Sequence, residues 1–288
     1  MNAIDRCWRE NPNWRRNRQQ LARCAVGYSG KMSNIRRGIV RYKVTDPSDN
    51  PVKPKPGTLR YGATMIKGKV WITFQRDMHI RLEKPLLNSS FTTIDGNGVS
   101  VSIAGNACLR VFKANNVIIH GLRIHHCRAQ LASLVMGPHG RIVNIGQVWI
   151  DHNTLYQCQD GILDVTRGST DITVSNNWFR DQDKVMLLGH SDGYLRDKNI
   201  KVTVVYNHFG PNCNQMMPSM NPSIKSEANL FVMTKSGKKE LTWRSDIVRN
   251  KKSWRFYSPN YNHQQSFHVV DAQFVRSLTR SAGVLQCT

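Results

Sequence analysis

Two aspartates, Asp160 and Asp164, lie four residues apart in the run Cys158-Gln159-Asp160-Gly161-Ile162-Leu163-Asp164-Val165. In an extended segment, side chains at this spacing project to the same side. Two carboxylates so placed offer the oxygen ligands that a hard cation such as Ca²⁺ takes. They also read as solvent-facing aspartates on the edge of a coil. A second group, His120, His125, His126 and Cys127, has the residue types of a transition-metal cluster. Alternation puts neighbouring residues on opposite faces and no matched second pair follows, so hydrogen-bonded coil histidines are the better reading. Asp151-His152 lacks a G-x-S-x-G nucleophile motif, which leaves a hydrolase triad unsupported and a role in orienting coil backbone favoured.

Cysteine usage adds little chemistry. Seven cysteines include no C-x-x-C pair, so neither a zinc ribbon nor a thioredoxin-like motif is supported. The short separations, Cys7 to Cys24 and Cys108 to Cys127, could close local disulfides if the chain is secreted, and the odd total leaves at least one thiol without an intramolecular partner. Met1 is followed by polar sequence with no apolar h-region, so no signal peptide is expected in this chain, whereas the sequon Asn88-Ser89-Ser90 is compatible with export.

The elements that must position these residues repeat. An apolar, any, apolar triplet, two mostly polar residues, Asn, any, apolar recurs at Val148–Leu155, Ile172–Phe179 and Val202–Phe209, with a degenerate copy at Val117–Ile124. The asparagines, Asn153, Asn177 and Asn207, are spaced like successive turns of a solenoid with a variable loop. Each β-branched triplet reads as a short strand with one face inward. The Asn suits a sharp bend, because it tolerates left-handed backbone, and it can stack in register on its neighbours. These features predict an all-β, right-handed parallel β-helix with an N-terminal helix over Pro12–Val26 and terminal loops wrapped on the solenoid. A single domain is expected, with a basic extension and proline-rich loop over 1–58, the coil core over 59–221 and C-terminal loops over 222–288. Lys69 to Phe74 reads as a strand, and beyond Pro222 the Asn repeat is not expected to continue.

The 288 residues carry 41 Lys plus Arg against 19 Asp plus Glu, a formal net charge of +22, with 40% hydrophobic residues. That composition supports a sizeable core and excludes a disordered chain. No apolar run approaches the ~20 residues of a spanning helix, so no membrane association is expected. Residues 1–43 hold 11 basic and 2 acidic residues and residues 235–280 hold 10 and 3, so both ends are more basic than the middle. Such a surface favours polyanions. Nucleic acid is not expected, because no recognisable module or aromatic-interleaved basic motif is present.

Longer stretches carry a resemblance. Asp5-Arg6-Cys7-Trp8, Pro12-Asn13-Trp14, VTDPSDNPVKPKPGTLR (44–60), VWITFQRDM, TIDGNGVSV, NVIIHGLRIHHC, VWIDHNTLYQCQDGILDVTRGSTDITVSNNWF, DKVMLLGHSD, YNHFG and WRSD occur in the order found in plant pectate lyases, polysaccharide lyase family 1, the group that includes pectate-lyase-like pollen allergens. The chain resembles that family over most of residues 1–230. The resemblance implies calcium-dependent β-elimination on polygalacturonate, with Ca²⁺ at Asp160 and Asp164, the substrate carboxylate at Lys184, an arginine base, a monomer and a secreted, cell-wall location.

The sequence departs from the family pattern where the chemistry is carried. An acidic element expected near 136–138 reads Met136-Gly137-Pro138, and an R-x-P-x-x-R element after YNHFG reads Met216-Met217-Pro218-Ser219-Met220-Asn221, so Met216 and Asn221 stand at both arginine positions. About one coil is missing there. The expectation is therefore weak eliminative cleavage; the alternative is an impaired homologue that only binds acidic cell-wall polysaccharide. Arg180 is the first candidate for a substitute base.

Overall fold

A computed structural model describes residues 1–30, 32–33, 37–112, 114–128, 146–189, 193–218, 222–232, 255–257 and 267–285. Parallel strands stack coil on coil into a right-handed parallel β-helix, as the repeat predicts. The first sheet contains Ile39–Val44, Lys69–Phe74, Thr92–Asp95, Val117–His120, Val148–Asp151, Ile172–Ser175, Lys201–Val205 and Ser223–Glu227, with Arg255–Tyr257 added antiparallel at the end. After a tight corner, the second sheet contains Met78–Leu82, Val101–Gly105, Arg123–Cys127, Thr154–Tyr156, Trp178–Arg180, His208–Phe209 and Leu230–Phe231. The third is short, with Leu163–Val165, Gln182–Leu188 and Cys213–Pro218.

The corner between the first two sheets is built on a ladder of asparagines, one per coil. Asn153 donates from its backbone N and Nδ2 to Asn177 Oδ1 at 2.9 and 3.0 Å, and Asn177 does the same to Asn207 Oδ1 at 3.0 and 3.0 Å. All three are fully buried, and each Nδ2 also donates to a carbonyl of the preceding coil. Two expectations need correction here. The left-handed residue is the one before each Asn, namely His152, Asn176 and Tyr206, so the Asn serves the corner through its amide rather than its backbone. The ladder also continues past Pro222, because Asn207 donates to Asn229 Oδ1 at 2.8 and 3.0 Å and Ser223–Glu227 pairs in parallel with Lys201–Val205. The coil stack therefore extends through Phe231 instead of ending at 221.

Inside, Phe179, Phe209 and Phe231 stack at 4.9 and 4.8 Å between ring centroids, one per coil, within a core of Val, Ile and Leu from all three sheets. The N-terminal helix differs from expectation: α1 is Ala3–Arg9, and Pro12–Val26 holds only a 3₁₀ segment, Arg18–Arg23. The Asn2 side chain caps α1 by accepting from the Asp5 backbone N at 2.9 Å. Disulfides Cys7–Cys24 and Cys108–Cys127 are both formed, while Cys158 and Cys213 are free thiols. At the other end, a short helix, Val275–Thr279, and the turn after it lie against the Asn corner, where Gly98 N donates to Leu285 O at 2.7 Å. No described helix is long and apolar enough to cross a membrane.

Candidate functional site

The third sheet gathers the predicted site residues. Asp164 sits in the strand Leu163–Val165, in register with Leu187 and, beyond it, Met217. Asp160 lies in the turn before that strand, its carbonyl accepting from Gln182 Nε2 at 2.7 Å. Lys184 rises from the next coil, and its Nζ donates to Asp160 Oδ1 at 2.9 Å. Asp160, Asp164 and Lys184 are all exposed. Gly161 has a specific part in this, since a Cβ there would collide with the Asp164 carboxylate. The missing side chain lets that carboxylate fold over the turn beside Asp160.

Charge at this face is mutually tuned. The hydrogen bond from Lys184 holds Asp160 below the usual carboxylate range, and the bond to Asp160 lifts Lys184 above the usual ammonium range, with smaller contributions from Asp183 and Asp164. Lys184 is thus firmly protonated. An exposed pair of this kind adds little to stability, so its consequence is to fix a positive charge among three carboxylates. Asp183 was not singled out from the sequence. It is exposed beside Lys184 because the strand is irregular between Lys184 and Met186, which breaks the alternation of faces, and it accepts from Asn214 Nδ2 at 2.8 Å.

Through the same irregularity Lys184 pairs with Gln215, and Met216 pairs with Met186, which is buried. Asn221, Met136–Pro138 and WRSD lie outside the described residues. Arg180 does not join this face: it belongs to the second sheet, with its guanidinium 4.1 Å from the Tyr156 ring centroid and bonded to Asp181 at 2.8 Å. Asn88 of the sequon is 2% exposed and donates to Arg110 O at 3.5 Å, so the folded chain does not present it for glycosylation.

Alternation does not sort all the histidines: His126 has left-handed backbone and its Nδ1 lies 2.8 Å from His125 Nδ1, so these neighbours face one another instead of pointing to opposite sides. His120 and His152 are fully buried and converge on Asp151 Oδ2 at 3.0 and 2.7 Å, with His152 Nε2 3.1 Å from Asp5 Oδ1 of α1. Burial opposes charge on His152, but Asp151 and then Asp5 outweigh it and push the imidazole up to about 9. This network fastens α1 to the coils and gives Asp151-His152 a positioning role. Although His120, Asp151 and His152 are metal-ligand types, both Nδ1 atoms are engaged with Asp151 Oδ2, and the group is sealed from solvent, with His120 Nε2 left without a hydrogen-bond partner among the described residues. His125 and His126 lie in the second sheet, and Cys127 is in a disulfide.

The description "Pectate lyase" belongs to the family model that matches residues 86–236. Probable pectate lyase 4 of Arabidopsis thaliana is 41% identical over 331 residues, covering 100% of this chain and 89% of the relative. The chain belongs to the pectate lyase family. Among solved structures, Jun a 1, the major allergen from cedar pollen, superposes with a TM-score of 0.77 at 35% identity, over 99% of both chains. A pectate lyase from Bacillus sp. N165, determined in complex with trigalacturonate, shares the fold with a TM-score of 0.51 at 18% identity, covering 92% of this chain and 100% of that one. The family is one of lyases, and the chain carries the family's fold throughout its described coils. The alignment to the Arabidopsis relative spans more residues than the 288 of this chain, so gaps fall within it.

Proposed function

We propose that this chain binds polygalacturonate along the face formed by Asp160, Asp164 and Lys184 and cleaves it slowly by β-elimination. The observation that carries the reading is the Lys184–Asp160 pair beside Asp164 on one exposed face of a pectate-lyase-family coil. Binding of trigalacturonate by the Bacillus family member supports an acidic galacturonate polymer as the ligand class. Secretion to the cell wall and action as a monomer complete the reading.

The residues fit a hard cation. Asp160 and Asp164 supply oxygen donors only on a solvent-exposed face, as Ca²⁺ requires when water and a substrate carboxylate fill its remaining sites, and Asp183 adds negative charge beside Lys184. Asp160 and Asp164 would hold the ion, and when bound it would withdraw charge from the uronate carboxylate and so acidify the C5 proton. Lys184 contributes a fixed ammonium that can exchange Asp160 for the substrate carboxylate. It cannot remove the C5 proton, because its neighbours hold it protonated. Methionine at 216 supplies neither a base nor a charge, so proton abstraction is the step this chain performs poorly.

The same substitution favours, as a second reading, a protein that binds acidic polysaccharide without turning it over. Absorbance of the unsaturated uronide product, followed on polygalacturonate with and without calcium, separates the two. Slow, calcium-dependent product supports cleavage; no product with retained binding supports the binding protein; no binding to polygalacturonate overturns both.

A further inference from the structure

We propose that the cleft between the second sheet and the C-terminal helix is an anchoring site for polyuronate, an acidic polysaccharide with a carboxylate on every sugar, distinct from the Asp160–Lys184 face and independent of calcium. The cleft has a volume of about 730 Å³, within the usual size of a ligand site. Arg9 enters it from α1, Arg123 and Arg180 from the second sheet, and Arg280 from the end of the C-terminal helix, and neither Asp nor Glu is among the described residues that line it. The two basic ends of the sequence thus each deliver an arginine to one concavity. Four guanidiniums gathered by the fold repel one another, and a bound polyanion relieves that repulsion.

The chain itself holds two of these guanidiniums in place, Arg9 at 4.6 Å from the Trp8 ring centroid and Arg180 through its own contacts. Arg180 lies 4.1 Å from the Tyr156 centroid and 5.3 Å from that of Trp178, and one of its nitrogens is held by Asp181. This packing preorganises the planar fork. The Nε–H groups of Arg9 and Arg180 are buried without a hydrogen-bond partner among the described residues, the nearest carboxylate to Arg9 Nε being Asp5 Oδ1 at 3.9 Å. Arginine forks match carboxylates in two-point contact, and a polyuronate presents carboxylates serially. Nucleic acid is the poorer match. Single strands are held on open aromatic faces, whereas here Tyr156 is covered by Arg180 and His125, and Trp178 stacks on His208 at 5.5 Å. The inference rests on the reading above only for the identity of the polymer.

The test measures binding of oligogalacturonate to the full chain by calorimetry in excess chelator, with a single-stranded oligonucleotide of equal charge as the competing probe. Two variants are compared with wild type, each checked for folding by circular dichroism: Arg123→Gln with Arg180→Gln, and Ser277→Glu with Ser281→Glu, which adds negative charge at exposed rim positions without touching the core. The expected result is that wild type binds oligogalacturonate without calcium and that both cleft variants bind about tenfold more weakly or worse. Absence of wild-type binding, undiminished binding by the rim variant, or equal affinity for the oligonucleotide would overturn the proposal. Absence of uronide product in a separate turnover assay bears on the catalytic reading alone and leaves this one standing.

Discussion

At the scale of single residues, the third-sheet strand Gln182–Leu188 is irregular between Lys184 and Met186, and that irregularity limits how far one substitution can restore turnover. A positioned base is worth roughly 10²–10⁴-fold in rate, yet Met216 pairs with buried Met186 instead of Lys184, and the sequence reads Met136-Gly137-Pro138 where the resemblance implies an acidic element. Met216→Arg is therefore expected to raise polygalacturonate turnover by only part of that factor; recovery to the rate of an intact family member would show that the missing arginine was the sole defect. Asp160→Ala removes the carboxylate whose hydrogen bond elevates Lys184, so the lysine should titrate at lower pH, and whatever turnover exists should need a higher calcium concentration. A Lys184 titration by NMR unchanged in that variant would show that Asp160 is not its controlling partner. Asp160, Asp164 and Lys184 are legible through the family resemblance, residue by residue, whereas Asp183 is not, since its exposure depends on an irregularity between Lys184 and Met186 that no alternation rule anticipates.

At the scale of elements, the asparagine ladder was readable because stacking demands the same residue at the same phase in successive coils. Its fourth rung, Asn229, is hidden in the sequence because the strand before it carries Ser226 in register with Val204, Val174 and Ile150, between Lys225 and Glu227, which are buried and paired at 3.2 Å. The N-terminal helix was misplaced for a related reason: Asn11-Pro12-Asn13 has the composition of a helix start, but what holds this region is the burial of Asp5 and Trp8 against the coils, which depends on residues far along the chain. The ladder also yields an ordered prediction. Asn177 accepts from Asn153 and donates to Ile150 O and Asn207, so Asn177→Ala strands buried groups in two coils and should cost roughly 3 kcal/mol or more. Asn229→Ala, at the end of the described ladder, should cost less. Urea denaturation gives both values, and an Asn229 variant as unstable as the Asn177 variant would mean that the ladder does not act as a chain of equal links.

At the scale of the whole molecule, α1 and the C-terminal segment are clamped on the same corner of the solenoid, and histidines at that corner set how stability responds to pH. His152 sits with Asp151 and Asp5 and is pushed up to about 9 from an ordinary 6.5. The folded state therefore holds a proton that the unfolded state has lost, and the stability this confers is complete below about pH 6.5 and disappears as pH rises through about 9. His208, beneath the C-terminal helix with Thr279 at 3.4 Å, is driven the other way, down to about 4, by burial and then by Arg276. Acidification from 6.5 toward 4 protonates it in the unfolded chain first, so stability falls on that side. Asp151, held below the usual carboxylate range by its histidines despite burial, steepens the loss at lower pH still. The two limbs place the maximum of stability near pH 6.5. The urea midpoint measured from pH 4 to 10 should trace this dome, and His152→Asn, though less stable throughout, should lose the alkaline limb between 6.5 and 9 while keeping the acid one. Retention of the alkaline limb in that variant would assign it to another group and remove His152 as the residue that fastens α1 to the coils.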